Sequence, residues 1–129
     1  MSAQTPEQVH QLFAETLNAG DIDGLMALYE PEAVLVVQPG MTVTGTDQLR
    51  EALGGFIALN GTITLTSLGA VTGTDIAFLA DRWSLEGTGP DGQPVTLGGV
   101  TADVVRRGDD GVWRFVLDNP FGDAIFNAG

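Results

Sequence analysis

Cysteine is absent from this chain and so is lysine; its five basic residues are all arginines, set against 17 acidic ones. Without cysteine there can be no disulfide, no thiolate metal ligand and no cysteine nucleophile. A single histidine, His10, leaves no histidine cluster for a transition metal, so neither a metal site nor a cofactor is expected. The formal charge of -12 repels phosphate backbones, and nucleic acid and anionic membrane are not expected as partners. No apolar run approaches the roughly 20 residues of a membrane helix. Residues Met1 to Glu7 lack the basic and apolar regions of a signal peptide, so the cytoplasm is the expected compartment. What remains is a chain of 129 residues, 43% hydrophobic, enough for one domain over 1–129 with a core of its own.

The first 60 residues carry helical signals. Thr5-Pro6-Glu7-Gln8 reads as a capping box with proline at the first helical position, and Val9, Leu12, Phe13 and Leu17 follow at helical spacing. This predicts a helix from about Pro6 to Ala19, stopped by Gly20. Asp21 can cap a second helix with Ile22, Leu25, Leu28 and Tyr29 on its apolar face, ended by Pro31. Ala33 to Val37 reads as a short strand, and Thr42-Val43-Thr44 as a small extended piece after the loop Gln38-Pro39-Gly40. Thr46 can cap a third helix with Leu49, Leu53, Phe56 and Ile57 on its buried face.

Beyond Asn60-Gly61 the period changes to alternation. Strands are expected at Thr62 to Val71, Asp75 to Leu85, Val95 to Arg106 and Val112 to Asp118, separated by turn residues at Thr72-Gly73-Thr74, Gly89-Pro90-Asp91-Gly92 and Asp109-Asp110-Gly111. Helices first and hairpin-linked strands later define an α+β domain, with helices on one face of a curved antiparallel sheet. Gly87-Thr88-Gly89-Pro90-Asp91-Gly92 is a hairpin turn and not a phosphate loop, since no lysine follows and no helix begins there.

That order, with Asn18 to Val34 and the closing run Asp103 to Phe115, resembles the nuclear transport factor 2-like superfamily, and within it the small SnoaL-like and ketosteroid-isomerase-like branch. The resemblance implies a cone-shaped curved sheet, four long strands plus short ones, wrapped around three N-terminal helices. It does not select a reaction, because this fold hosts isomerases, cyclases, dehydratases, hydrolases and non-catalytic modules. Ketosteroid isomerase uses an Asp base and an oxyanion hole of Tyr and protonated Asp. In this chain the Tyr position falls on Phe13 and the base position on Val37 or Gln38; only the second Asp is matched, by Asp103. The steroid isomerase machinery is therefore not expected.

The resemblance places Asp103 on the pocket face with Thr101. A carboxyl there would be desolvated and suited to act as a general acid, although a solvent-facing strand position is the alternative. On the last strand it places Val116 and Asp118 toward the pocket and Trp113, Phe115 and Leu117 outward; Asp118 is then a second acid, or else the cap of the turn at Asn119-Pro120. If the hairpin centred on Asp91-Gly92 is regular, Arg82 lies opposite Thr101 and faces Asp103. A bulge at Gly98-Gly99 would exchange it for Asp81 and Trp83. Asp103, Asp118 and Arg82 are thus the candidate catalytic residues. Phe13, Val37, Gln38, Phe56, Phe78, Trp83, Thr101 and Val116 are the candidate ligand contacts. Tyr29 is expected to pack structurally, and His10, off the apolar stripe, to be exposed.

Two classes of function stay open. One is a cofactor-free enzyme acting by proton transfer on a small apolar molecule, as isomerase, cyclase, dehydratase or hydrolase. The other is a non-catalytic ligand-binding or dimeric assembly module. The apolar row Val100, Ala102, Val104, Trp113, Phe115 and Leu117, read as outward, predicts a homodimer through the outer sheet face. The tail from Phe121 to Phe126 is expected to fold over the pocket or a partner.

Overall fold

The computed structural model describes residues 2–122. Helix α1 spans Pro6–Ala19, α2 Ile22–Met26 and α3 Thr46–Ala58; the strands are β1 Tyr29–Gln38, β2 Met41–Thr44, β3 Thr62–Thr72, β4 Ile76–Thr88, β5 Pro94–Arg107 and β6 Trp113–Asp118. The strands form one sheet in the order β2-β1-β6-β5-β4-β3, antiparallel except for the β1–β6 pair. Helix α1 lies across the concave side, touching β3, β4, β5 and β6. The expected α+β architecture, with helices covering one face of a curved sheet, is the one observed. No helix among the described residues is long and apolar enough to cross a membrane. From Asp123 onward the C-terminal tail lies outside the described residues, and with it most of the expected covering segment.

The caps explain the helix bounds. Thr5 accepts a hydrogen bond from the Gln8 amide, Pro6 occupies the first turn, and Gly20 closes α1 in the left-handed region at φ 69°. Asp21 accepts from the Gly24 amide at 2.9 Å and starts α2. Two boundaries differ from expectation. Helix α2 stops at Met26, and Tyr29 opens β1 instead of ending a helix. Pro31 disfavours helical backbone at Glu30, and the Leu28 carbonyl is taken by the Phe115 amide at 2.7 Å, which draws the chain into the sheet. At α3, Gly45 occupies the cap position and Thr46 is the first helical residue, without a side-chain cap.

Three register details decide which residues face the concave side. In the β4–β5 hairpin Thr88 pairs with Pro94, leaving a loop of five residues centred on Asp91, and the pairing runs unbroken through Gly98-Gly99. Asp81 therefore faces Thr101, Leu79 faces Asp103 and Trp83 faces Gly99, while Arg82 pairs with Val100 on the convex side. An odd loop moves the centre by half a residue from the expected Asp91-Gly92 point, and this one-residue slip reverses every face of β4 relative to β5. In β6, Phe115 pairs with Val105 and Leu117 with Val104, so Val116 is the extra residue of a bulge. The bulge lets Trp113, Phe115 and Asp118 all point inward, where they are buried. The expected outward direction of Trp113 and Phe115 is corrected accordingly.

Candidate active site

Four ionisable side chains with no ordinary place in a hydrophobic core meet inside the cone: His10, Asp81, Asp103 and Asp118, each at most 6% exposed. His10 comes from α1, Asp81 from β4, Asp103 from β5 and Asp118 from the end of β6. The imidazole sits between two carboxylates, with Nδ1 donating to Asp81 Oδ1 at 3.0 Å and Nε2 to Asp103 Oδ2 at 2.5 Å. Burial alone would lower the pKa of His10. The hydrogen bonds to Asp103 and Asp81, and then their charges, outweigh it and raise the value from 6.5 to about 10. Both ring nitrogens thus carry protons at neutral pH, as two acceptor partners require.

Asp103 is held as an acceptor from several sides. Besides His10, the Thr101 hydroxyl donates to its Oδ1 at 2.5 Å and the Asn119 amide at 2.8 Å. Asp118 is its opposite. Burial, then the charge of Asp103, push its pKa well above the usual carboxylate range, so Asp118 keeps its proton at neutral pH. Behind it the Tyr29 hydroxyl donates to Asp118 Oδ2 at 2.5 Å. Burial and the neighbouring acids raise the Tyr29 pKa well above its ordinary value, so the phenol keeps its proton. No buried side-chain nitrogen or oxygen among the described residues lacks a partner.

This polar group closes one end of a cavity of about 40 Å³, room for a few waters. His10, Thr101, Asp103 and Asp118 line that end; Phe13, Phe56, Trp83 and Phe115 supply aromatic walls, and Leu17, Leu35, Leu53, Ile63, Leu65 and Pro120 complete the lining. Phe115 is central to the packing, with ring centroids 5.8 Å from His10, 6.0 Å from Phe13 and 4.7 Å from Tyr29. Trp83 is anchored by its indole N–H on the Pro120 carbonyl at 2.8 Å.

Among the residues singled out from sequence, Asp103, Asp118, Phe13, Phe56, Trp83 and Thr101 line the cavity. Arg82 does not; it is exposed on the convex face, because the odd hairpin loop turns Asp81 inward in its place. Phe78 shares that convex face and is 44% exposed. Val116 is the bulge residue and is absent from the lining, Val37 packs against the core away from the cavity, and Gln38 is exposed at the end of β1. His10 was expected to be exposed and is buried at the centre of the site. A signal for it existed: His10, Phe13 and Leu17 fall at spacings of three and four and all three line the cavity. Asp81 and Tyr29, neither of them lining the cavity, are the other two functional residues that sequence reasoning did not select.

A cone-shaped sheet enclosing a pocket with ionisable groups at its closed end defines the class, an α+β domain of the nuclear transport factor 2-like kind. Residues 9–116 match the SnoaL-like domain, and the chain belongs to that family. The fold superposes on a conserved protein from Planctomyces limnophilus with a TM-score of 0.80, at 17% identity over 89% of this chain and 91% of that one. It is also similar to a protein provisionally assigned as a scytalone dehydratase from Novosphingobium aromaticivorans, with a TM-score of 0.78 and 17% identity over 88% and 78% of the two chains. An NTF-2 like protein of unknown function from Shewanella oneidensis gives a TM-score of 0.72 and 23% identity over 88% and 93%. Comparison with curated protein sequences finds no match.

Proposed function

We propose that this protein is a cofactor-free acid–base enzyme acting on a small, largely apolar molecule that carries an oxygen at one end. The observation that carries the reading is the unequal pair at the closed end of the cavity: a buried, protonated Asp118 beside an Asp103 held as an acceptor by His10, Thr101 and Asn119. A buried carboxyl that keeps its proton beside a second carboxyl held as an acceptor is a usual basis for an acid and its partner. Asp118 delivers its proton to the substrate oxygen and takes one back, while Asp103 holds the anionic charge beside it. The aromatic and aliphatic walls orient a hydrocarbon skeleton and exclude water. Dehydration, isomerisation, cyclisation and epoxide opening all draw on this device. A thermal-shift screen of one- and two-ring alcohols, ketones and epoxides, followed by turnover assays on the hits, tests it. Turnover by the wild type and loss in Asp118→Asn supports the reading; equal turnover by that variant overturns it.

We further propose that two copies pair through the convex sheet face. Val71 and Phe78, partners across β3 and β4, are 72% and 44% exposed there, and Ile76 is 51% exposed. Val100, Ala102, Val104 and Leu117 lie half-buried on the neighbouring strands. Exposed apolar groups in that concentration favour a covered face.

A further inference from the structure

The polar end of the cavity is short of positive charge and short of free donors. Three acids, Asp81, Asp103 and Asp118, face one base, His10, and the five arginines lie elsewhere: four pair with Asp23, Glu30, Asp75 and Asp110, and Arg82 is exposed on the convex face. With Asp118 protonated, the buried cluster retains a surplus of one negative charge. Its donors other than the Asp118 hydroxyl are spent. The two His10 N–H groups go to Asp81 and Asp103, the Thr101 hydroxyl and Asn119 amide to Asp103, and the Tyr29 hydroxyl to Asp118. A substrate that became an enolate would place a second negative charge beside Asp103, with the Asp118 hydroxyl the one donor among the described residues of the cluster left for its oxygen.

Resting on the acid–base reading above, we infer that the site stabilises positive charge developing on carbon, and that its substrate is an alcohol or epoxide at an allylic or benzylic carbon. For an alcohol, Asp118 gives its proton to the hydroxyl, the C–O bond breaks with its electron pair going to oxygen, and water leaves. The cationic carbon then faces the Asp103 carboxylate and the aromatic walls of Phe13, Phe56, Trp83 and Phe115, whose ring faces are electron-rich. Loss of a proton from the adjacent carbon to Asp118 forms the double bond and restores the acid.

Benzylammonium, benzyl alcohol and benzoate form a matched trio, one ring with a cationic, neutral or anionic arm, and their binding tests the inference without a known substrate. Calorimetry or NMR titration of the wild type at pH 7 is expected to rank benzylammonium at least about tenfold above benzyl alcohol, with benzoate weakest. The order should persist in 0.5 M salt, because buried charges are screened far less than the surface charge of the whole chain. Asp81→Asn removes one unit of negative charge from behind His10 without touching the cavity lining, and Asp103→Asn removes it at the lining. Each is expected to reduce the preference for the cation about tenfold, and Asp81→Asn alone suffices if Asp103→Asn does not fold. Benzoate binding as well as benzyl alcohol, or a preference that disappears in salt or survives a folded Asp81→Asn, overturns the inference and leaves the acid–base reading standing. No binding by any of the three withdraws both.

Discussion

The imidazole of His10 and the carboxylate of Asp103, 93 positions apart in the chain, meet at 2.5 Å in the buried centre of the sheet. The contact ties α1 to β5, and through Asp81 to β4, so it serves the fold as well as the site. Removing one partner of a buried charge group leaves the rest uncompensated, at a cost of about 3 to 5 kcal/mol. His10→Ala is therefore expected to lower the unfolding free energy at pH 7 by at least about 3 kcal/mol, read from urea denaturation. A loss below about 1 kcal/mol would show that the contacts of His10 with Asp81 and Asp103 contribute little to stability.

The pH dependence follows from the same contact. The His10 pKa is raised from 6.5 to about 10 on folding, so its contribution is complete below pH 6.5 and is lost as pH rises toward 10. Asp118 is also raised on folding, from 3.8, and its contribution likewise falls as pH rises. With no cysteine, no lysine and no second histidine, few other groups titrate between pH 6.5 and 10. The urea midpoint of the wild type is expected to fall across that window, and to fall less in His10→Gln. A His10 ring that titrates near 6.5 by NMR would contradict the arrangement.

Asp118→Asn keeps the shape of the side chain and an acceptor for Tyr29 but removes the transferable proton. Its stability should match or exceed the wild type, while turnover of any substrate found drops by about 10² to 10⁴. Tyr29→Phe removes only the hydrogen bond to Asp118 and is expected to cost about 1 kcal/mol of stability. A fold destabilised more by Asp118→Asn than by Tyr29→Phe would mean that Asp118 is a structural group first.

Arg82 supplies the contrast. Exposed on the convex face, it is expected to tolerate Arg82→Ala with a stability change within about 0.5 kcal/mol and no change in ligand affinity. A tenfold loss of affinity would place it in the site after all.

Phe78→Asp puts a charge in the middle of the exposed apolar patch. If two copies pair there, sedimentation velocity at micromolar concentration should show a dimer for the wild type and a monomer for this variant. A wild-type monomer, or a variant that remains dimeric, removes the convex face from consideration.

Element order was legible along the chain because its signals are local. The proline and capping residues of α1, Gly20 at its end, the change of period after Gly61 and the turn residues between strands each act within a few positions, and the bounds of α1 follow from them alone. Asp103, Thr101 and Asp118 in the lining follow from the family resemblance with strand alternation, and Phe13 and Phe56 from the apolar faces of α1 and α3. Where reasoning from alternation failed, it failed through parity. A five-residue loop in place of an even one exchanged Arg82 for Asp81, and one bulge residue at Val116 turned Phe115 inward. Strand faces repeat every second residue, so a shift of one inverts them, and composition says little about such shifts.

The chain by itself thus determined its class, its elements and the chemical inventory of the site: one imidazole, no thiol, no lysine and a surplus of acids. Tertiary structure alone decided which acids meet the imidazole, which carboxyl keeps its proton and which arginines stay outside. Those outcomes depend on burial and on charges brought together from α1, β4, β5 and β6, and the protonation of a buried group is set by neighbours in space, whatever their distance along the chain.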